Sequence, residues 1–311
     1  MARQLAWVPV VLVLFSMMQV QAADGRPAKR VLFIGIDGTR TDALLAADAP
    51  NLKKLRDNGA YSYATNIIGT REDKADTVSG AGWSNLLTGV WPDKHGVLDN
   101  RFVVRNYSQY PHFFSRVKEA YPRAMTISLA DWTPIHTIIV RDAEVSLDFT
   151  TDAKKPDYKL ADERLTAKAI DVLKNDDPEV LMVYLGDIDE TGHKHGFHPT
   201  VAEYKKAIEV VDGQIGEIIT ALNKRKDFAA EQWLILVGTD HGGRGTDHGG
   251  NRNTPEVNTV WCIVSGDDVE KGELKGTTHQ VDLVATALTH LGIPLKAEWK
   301  LDGQAIGLKG K

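Results

Sequence analysis

Arg30-Val31-Leu32-Phe33-Ile34-Gly35-Ile36-Asp37-Gly38 is the stretch that decides the fold. Its apolar residues follow one another without the polar alternation of a half-exposed strand. That is the pattern of a strand buried on both faces, and Asp-Gly then closes it with a turn. Runs of the same kind return at residues 124–129, 137–140, 180–185, 233–237 and 259–264. Between them, residues 162–173, 201–222 and 281–291 bring Leu, Ile and Val back every three or four positions, the spacing of an amphipathic helix. Gly292 and Pro294 supply the stop for the last of these. Strands alternating with helices predict an α/β fold, a mainly parallel central sheet with helices on both faces.

The chain has 311 residues, 42% apolar and 25% charged, which is ordinary globular composition. No repeat, low-complexity tract or linker divides residues 23–311, so one domain is expected there. Residues 1–22 read as a secretory signal: Arg3, an apolar run from Leu5 to Met18, then Val20-Gln21-Ala22 with cleavage after Ala22. The run is shorter than the roughly 20 residues that span a bilayer, so a periplasmic or secreted protein without stable membrane insertion is expected. Cys262 is the one cysteine and sits in an apolar run, where a buried structural thiol is the simplest reading. The formal charge is −5, and one unit more negative without Arg3. Such a balance gives no general attraction for duplex nucleic acid or anionic lipid. A phosphate site here has to bring local positive charge of its own.

Three of the strand-like runs end in acids: Asp37, then Asp187 and Asp189, then Asp240. Ligands of open parallel sheets bind at the carboxyl ends of the strands, so these groups can converge. Any one alone is an ordinary turn former or helix cap. Two of them, however, travel with histidines. Asp189 and His193 are spaced to share a helix face, and His241 follows Asp240 directly. Carboxylate plus imidazole is a zinc ligand set that also suits manganese. Ser79-Gly80-Ala81-Gly82 precedes a helical stretch, which puts Ser79 at a helix N-terminus, where backbone N–H groups favour a phosphate. A serine hydroxyl becomes a useful nucleophile when a metal activates it.

Four segments in order resemble the alkaline phosphatase superfamily, in its type I phosphodiesterase/nucleotide pyrophosphatase branch. They are Ile36-Asp37-Gly38-Thr39-Arg40, the stretch from Ser79 through Leu87-Thr88-Gly89 to Val97, Asp189-x-x-Gly192-His193, and Thr239-Asp240-His241-Gly242-Gly243. The resemblance implies an alkaline-phosphatase-like fold, a small-molecule phosphoester substrate, Ser79 as nucleophile and two divalent cations, zinc by default with manganese possible. It implies Asp37, Ser79, Asp240 and His241 around one cation, and Asp189 and His193 with a further histidine around the other. His248 is preferred for that last place, with His279 as competitor. It also implies Asn100 as a hydrogen-bond donor to a phosphate oxygen.

Departures are visible as well. The branch usually has threonine at Ser79, proline at Ala81 and asparagine at Gly82, so the substrate-facing surface has changed. Ala81 and Trp83 stand where sulfatases carry proline and arginine, which disfavours sulfate ester chemistry. Phosphomonoester hydrolysis and a non-catalytic metal-binding role stay open as alternatives. A monoesterase is expected to add an arginine or a further metal at the phosphate, and Arg40, Arg71 and Arg101 all lie near a motif. His95 is read as structural, and His195 and His198 as exposed. Trp132 and Tyr110 are equally suited to stacking on a base or filling the core.

Overall fold

The computed structural model describes residues 29–69, 71, 74–141, 143, 145–148 and 157–310; the expected signal segment 1–22 lies outside the described residues. Its strands are β1 (Lys29–Ile36), β2 (Gly59–Asn66), β3 (Thr126–Ala130), β4 (Val145–Asp148), β5 (Val180–Leu185), β6 (Gln232–Gly238), β7 (Thr259–Ser265), β8 (Gly272–Glu273) and β9 (Thr278–His279). They form one sheet in the order β4-β3-β5-β1-β6-β7-β2-β8, with β9 pairing on β2. From β4 to β6 every neighbouring pair is parallel; β7 runs antiparallel to β6 and to β2.

The uninterrupted apolar run of β1 is explained by its place in the middle of this sheet, where both faces are covered. Val31 and Phe33 pack into a layer with Trp83 and Leu86, Phe113 and Val117, and Leu283 and Ala287, from the helices Ser79–Thr88, Phe113–Ala120 and Asp282–His290. Leu32, Ile34 and Ile36 pack the other way, against Leu165 and Val172 of the helix Tyr158–Asn175 and Ile208, Val211 and Ile215 of the helix Ala202–Asn223. Burying a Leu- or Ile-sized side chain is worth about 1.5–3 kcal/mol, so both layers are strongly held. Cys262 lies buried in β7, as its sequence context predicts.

One expected strand is corrected. Residues 137–139 belong to a helical turn, Ile135–Ile139, and Val140 follows it directly. Ile135 and Ile139, four apart, are buried while Thr137 between them is exposed, a side-chain pattern that a helical turn satisfies and a strand does not. The edge position next to β3 is taken by β4, which was not foreseen, and neither was β2.

Parallel pairing decides where chemistry can collect. β3, β5, β1 and β6 all end at the same rim, followed by Asp131, Gly186-Asp187, Asp37 and Thr239-Asp240. The ends are level: Ile36 pairs with Leu185, and Gly35 with Gly238. Among the described residues, no helix is long and apolar enough to cross a membrane.

Candidate metal centre and nucleophile

Each strand end delivers its acid differently. After β1 the chain turns at Gly38, in the left-handed region at φ 63°, where any side chain would strike the Asp189 carboxylate. The Gly38 N–H donates to Asp240 Oδ1 at 3.2 Å, tying the β1 turn to the β6 end. After β5 the helix Asp187–His195 begins at once and carries Asp189 and His193 one turn apart. Its start is held from another helix: Asp162 accepts from the N–H groups of Gly186 at 3.0 Å and Asp187 at 3.2 Å. Ser79 is the first residue of a ten-residue helix that is buried throughout. That helix approaches so closely that a Cβ on Gly82 would lie 2.8 Å from the Asp240 Cβ. A residue as large as asparagine does not fit here, which accounts locally for the departure at Gly82.

These groups meet. His241 Nε2 lies 3.3 Å from Ser79 Oγ, 3.2 Å from Asp240 Oδ2 and 3.5 Å from Asp37 Oδ1. Beside this group, His193 Nε2 is 3.3 Å from Asp189 Oδ2 and 3.0 Å from His248 Nε2, which is 3.8 Å from Asp189 Oδ1. The two clusters adjoin: Asp189 is close enough to Asp37 and His241 for those three also to share one ion. His279 is elsewhere, its ring edge-on to Trp91 with centroids 5.8 Å apart and its Nδ1 4.0 Å from Asp282.

The ring nitrogens bear on whether a cation suits this place. Nδ1 of His193 faces the Thr246 carbonyl at 2.9 Å, that of His241 the Gly242 carbonyl at 2.9 Å, and that of His248 the Thr77 carbonyl at 2.7 Å. A carbonyl only accepts, so each Nδ1 carries a proton and each ring turns its Nε2 toward the cluster. The Nε2 atoms of His193 and His248, 3.0 Å apart, need a proton or a cation between them. Asp37 Oδ1, Asp189 Oδ1 and Asp240 Oδ2 are buried there too, and none accepts a hydrogen bond. Seven donor groups of oxygen and nitrogen, buried at the first cluster and opening to solvent at His193, fit divalent cations of the zinc or manganese kind.

Electrostatics point the same way. Burial, with Asp189 beside it, pushes the Asp37 carboxyl up to about 6. Burial and the charges of Asp37 and Asp189 hold Asp240 well above the usual carboxylate range. Burial and the neighbouring His248 pull His241 down to about 3, while the Asp189 hydrogen bond lifts His193 to about 9. Against the cost of its burial, histidine neighbours hold Asp189 below the usual carboxylate range, whereas Asp37 and Asp240 have too little such counter-charge and would gain it from a cation.

Two supporting residues escaped the sequence reading. Trp83 Nε1–H donates to Asp37 Oδ2 at 2.8 Å, and the Tyr184 hydroxyl donates to the same oxygen at 2.5 Å. Trp83 is one helical turn beyond Ser79, a spacing that does signal a shared face; Tyr184 comes from β5 and becomes a neighbour only through sheet pairing.

Asn100 lies next to the nucleophile, its Oδ1 accepting the Gly80 N–H at 2.6 Å, which leaves its NH2 as a donor. The three arginines are engaged elsewhere. Arg40 is buried, binding the carbonyls of Phe197 at 2.7 Å and Gly243 at 3.1 Å and both oxygens of Asp42. Arg71 bridges Asp93 and Asp302, and Arg101 pairs with Asp99. His95 is buried and bonded to Asn85, whereas His195 and His198 are exposed. Tyr110 is buried, but Trp132 is half-buried with its ring stacked 6.4 Å from Tyr184.

Comparison with known proteins agrees with this architecture. The family described as type I phosphodiesterase / nucleotide pyrophosphatase matches residues 31–260. The catalytic subunit of human GPI ethanolamine phosphate transferase 2 is 30% identical over 282 residues, covering 86% of this chain and 26% of that protein. The chain spans about a quarter of the length of the sequence relatives it matches. A 2-O GAG sulfatase superposes with a TM-score of 0.69 at 15% identity, covering 90% of this chain and 73% of that one. Murine ectonucleotide pyrophosphatase/phosphodiesterase 5, solved with AMP, superposes with a TM-score of 0.61 at 14% identity, covering 86% and 96%. At these identities the structural likeness is one of fold.

Proposed function

Because the chain belongs to the type I phosphodiesterase / nucleotide pyrophosphatase family of the alkaline phosphatase superfamily, we propose that it hydrolyses phosphodiester or pyrophosphate bonds through a phosphoserine on Ser79. The observation that carries this reading is the convergence of three imidazole Nε2 atoms and three unpartnered carboxylate oxygens in two adjoining clusters, one of which includes the Ser79 hydroxyl.

Asp37, Ser79, Asp240 and His241 would hold one divalent cation, and Asp189, His193 and His248 the other, with zinc the first candidate and manganese the second. Such cations supply Lewis acidity, favouring the serine alkoxide and neutralising charge on the phosphoryl oxygens. Ser79 Oγ then attacks phosphorus in line; its bond to phosphorus forms as the bond to the leaving alcohol breaks, and the alcohol takes up a proton. Water attacks the phosphoserine in the second step, the Oγ–phosphorus bond breaks, and the serine is restored. The Asn100 NH2 donates to a phosphoryl oxygen throughout, and the helix N-terminus at Ser79 favours the same negative charge.

A diester is favoured over a monoester because Arg40, Arg71 and Arg101 are all committed to other partners. The half-buried Trp132 offers a face for a base or another flat group, as in a nucleotide. Export rests on residues 1–22. A second reading has an observation of its own, the 30% identity to a phosphoethanolamine-transferring enzyme. In that case an alcohol, rather than water, accepts the group from Ser79.

The test is Ser79→Ala. Turnover of a nitrophenyl diester falls by about three orders of magnitude or more, while cation content is kept. Acid quench of the wild type traps phosphate on Ser79. Undiminished turnover in the variant rejects the nucleophile. Supplying glycerol or ethanolamine as acceptor separates hydrolysis from transfer by the product formed.

A further inference from the structure

Among the three histidines of the centre, His248 is held in a way the other two are not. Its ring and its main chain are both bound by one residue from far away in sequence. The Thr77 carbonyl accepts the His248 Nδ1–H at 2.7 Å, and the Thr77 hydroxyl donates to the His248 carbonyl at 2.5 Å. The same hydroxyl accepts the Asn251 N–H at 3.3 Å. Thr77 is 3% exposed, so these bonds are shielded from water. Asp76 closes the clasp, its Oδ1 accepting from the N–H groups of Thr77 at 2.8 Å and Gly250 at 2.5 Å.

Thr77 also stands two residues before Ser79, in the extended segment that leads into the nucleophile's helix; Val78 between them is at φ −130°, ψ 159°. A ring bound through Nδ1 alone still pivots about its own Cα. With its main-chain carbonyl fixed by the same residue, that freedom is removed, and the direction of the Nε2 lone pair becomes a property of the 77–79 segment.

We propose that Thr77 is a positioning residue, whose hydroxyl and carbonyl together set His248 against Asp189 and His193 and lock this second cation cage in register with Ser79. The inference rests on the reading of His248 as a cation ligand. Its consequence is selective. Loss of the hydroxyl weakens the second cage and leaves the first, which is built from Asp37, Ser79, Asp240 and His241, largely as it was.

The experiment is equilibrium dialysis of zinc, and of cobalt followed by its visible absorption, against the full chain carrying Thr77→Val, Thr77→Ser or His248→Ala. Thr77→Val keeps the shape and the carbonyl but removes the hydroxyl, and is expected to weaken one of the two cations by roughly 10–100-fold. Thr77→Ser restores it to within about threefold, because it restores the hydroxyl. In rapid quench, Thr77→Val keeps a burst of nitrophenol equal to the enzyme while the later steady rate slows. Thr77→Ala, with the same expectation, substitutes if the valine variant does not fold. Wild-type affinity for both cations in Thr77→Val, beside loss of one in His248→Ala, overturns the role of Thr77. Retention of both in His248→Ala overturns the ligand reading itself, and the inference with it.

Discussion

The imidazoles of His241 and His248 lie face to face, their centroids 3.7 Å apart and their planes inclined by 20°. The two candidate cages therefore share a wall, with one ring serving each side. Truncating one ring removes packing from the other, so His241→Ala and His248→Ala are expected to be non-additive, with a coupling of about 0.5–3 kcal/mol in urea unfolding of the cation-loaded protein. His279→Ala, on the far side of Asp282, keeps both cations in dialysis. Strict additivity of the first pair, or loss of a cation in the His279 variant, contradicts this arrangement.

Asp37 makes the stability of the cation-stripped protein depend on pH. Its folded value near 6 lies above the ordinary value of about 3.9, so between these limits the folded state holds the extra proton. The contribution is complete below about pH 4 and is lost as pH rises through 6. Asp37→Asn cannot lose a proton. Between pH 4 and pH 8, stripped wild type should fall relative to stripped Asp37→Asn by up to about 3 kcal/mol, on top of any constant offset. Urea titrations at the two pH values measure this. With cations bound the carboxylate has its counter-charge, and the decline disappears; a difference that does not change with pH in the stripped proteins would falsify the assignment.

Gly35 is the floor on which Trp83 rests. An added methyl group would run into the indole ring. Gly35→Ala is expected to cost about 1–3 kcal/mol by overpacking, and to draw the Trp83 donor away from Asp37. Trp83→Phe removes the donor without the clash. Both variants should bind zinc more weakly and melt lower, the first through overpacking and the second through the cavity left at a fully buried indole. Undiminished zinc affinity in Trp83→Phe would show that the space, rather than the hydrogen bond, is what matters at this position.

Asn100 and Arg40 make opposite forecasts. Asn100 is exposed and bonded to the Gly80 N–H, so Asn100→Ala is expected to lower kcat/KM about a hundredfold with little change in melting temperature. Arg40 is buried against two carbonyls and Asp42; Arg40→Ala strands those acceptors and should cost about 2–4 kcal/mol of folding stability without shifting the diester-to-monoester ratio. A selective gain or loss of monoesterase activity in the Arg40 variant would return that guanidinium to the phosphate.

What could be read ahead of the coordinates was whatever is written locally. β1, β5, β6 and β7 are long apolar runs because both their faces are covered, and they fall within a residue or so of where periodicity puts them. β2, Gly59-Ala60-Tyr61-Ser62-Tyr63-Ala64-Thr65-Asn66, mixes small and polar residues among its aromatics and carries no such signal. Residues 137–140 were misplaced because four β-branched residues satisfy a strand and a helical turn alike. In the centre, acids at strand ends and the spacing of Asp189 and His193 are local facts. The spacing of Trp83 from Ser79 is local too, but the parts of Tyr184, Asp162 and Thr77 follow from which elements lie side by side.

Asp37 and His248 are separated by most of the described chain, yet the parallel order of β5, β1 and β6 sets their neighbourhoods together. The cage of Asp189, His193 and His248 lies within a shorter stretch, but the first cage draws on Asp37 and Ser79 as well as Asp240 and His241. During synthesis, capture of the full pair of ions must therefore wait until the loop beyond β6 has emerged and β6 has docked beside β1. Tight retention of both ions thus certifies that β5, β1 and β6 have come together, and a product nicked or ended before His248 should give them up to a competing chelator.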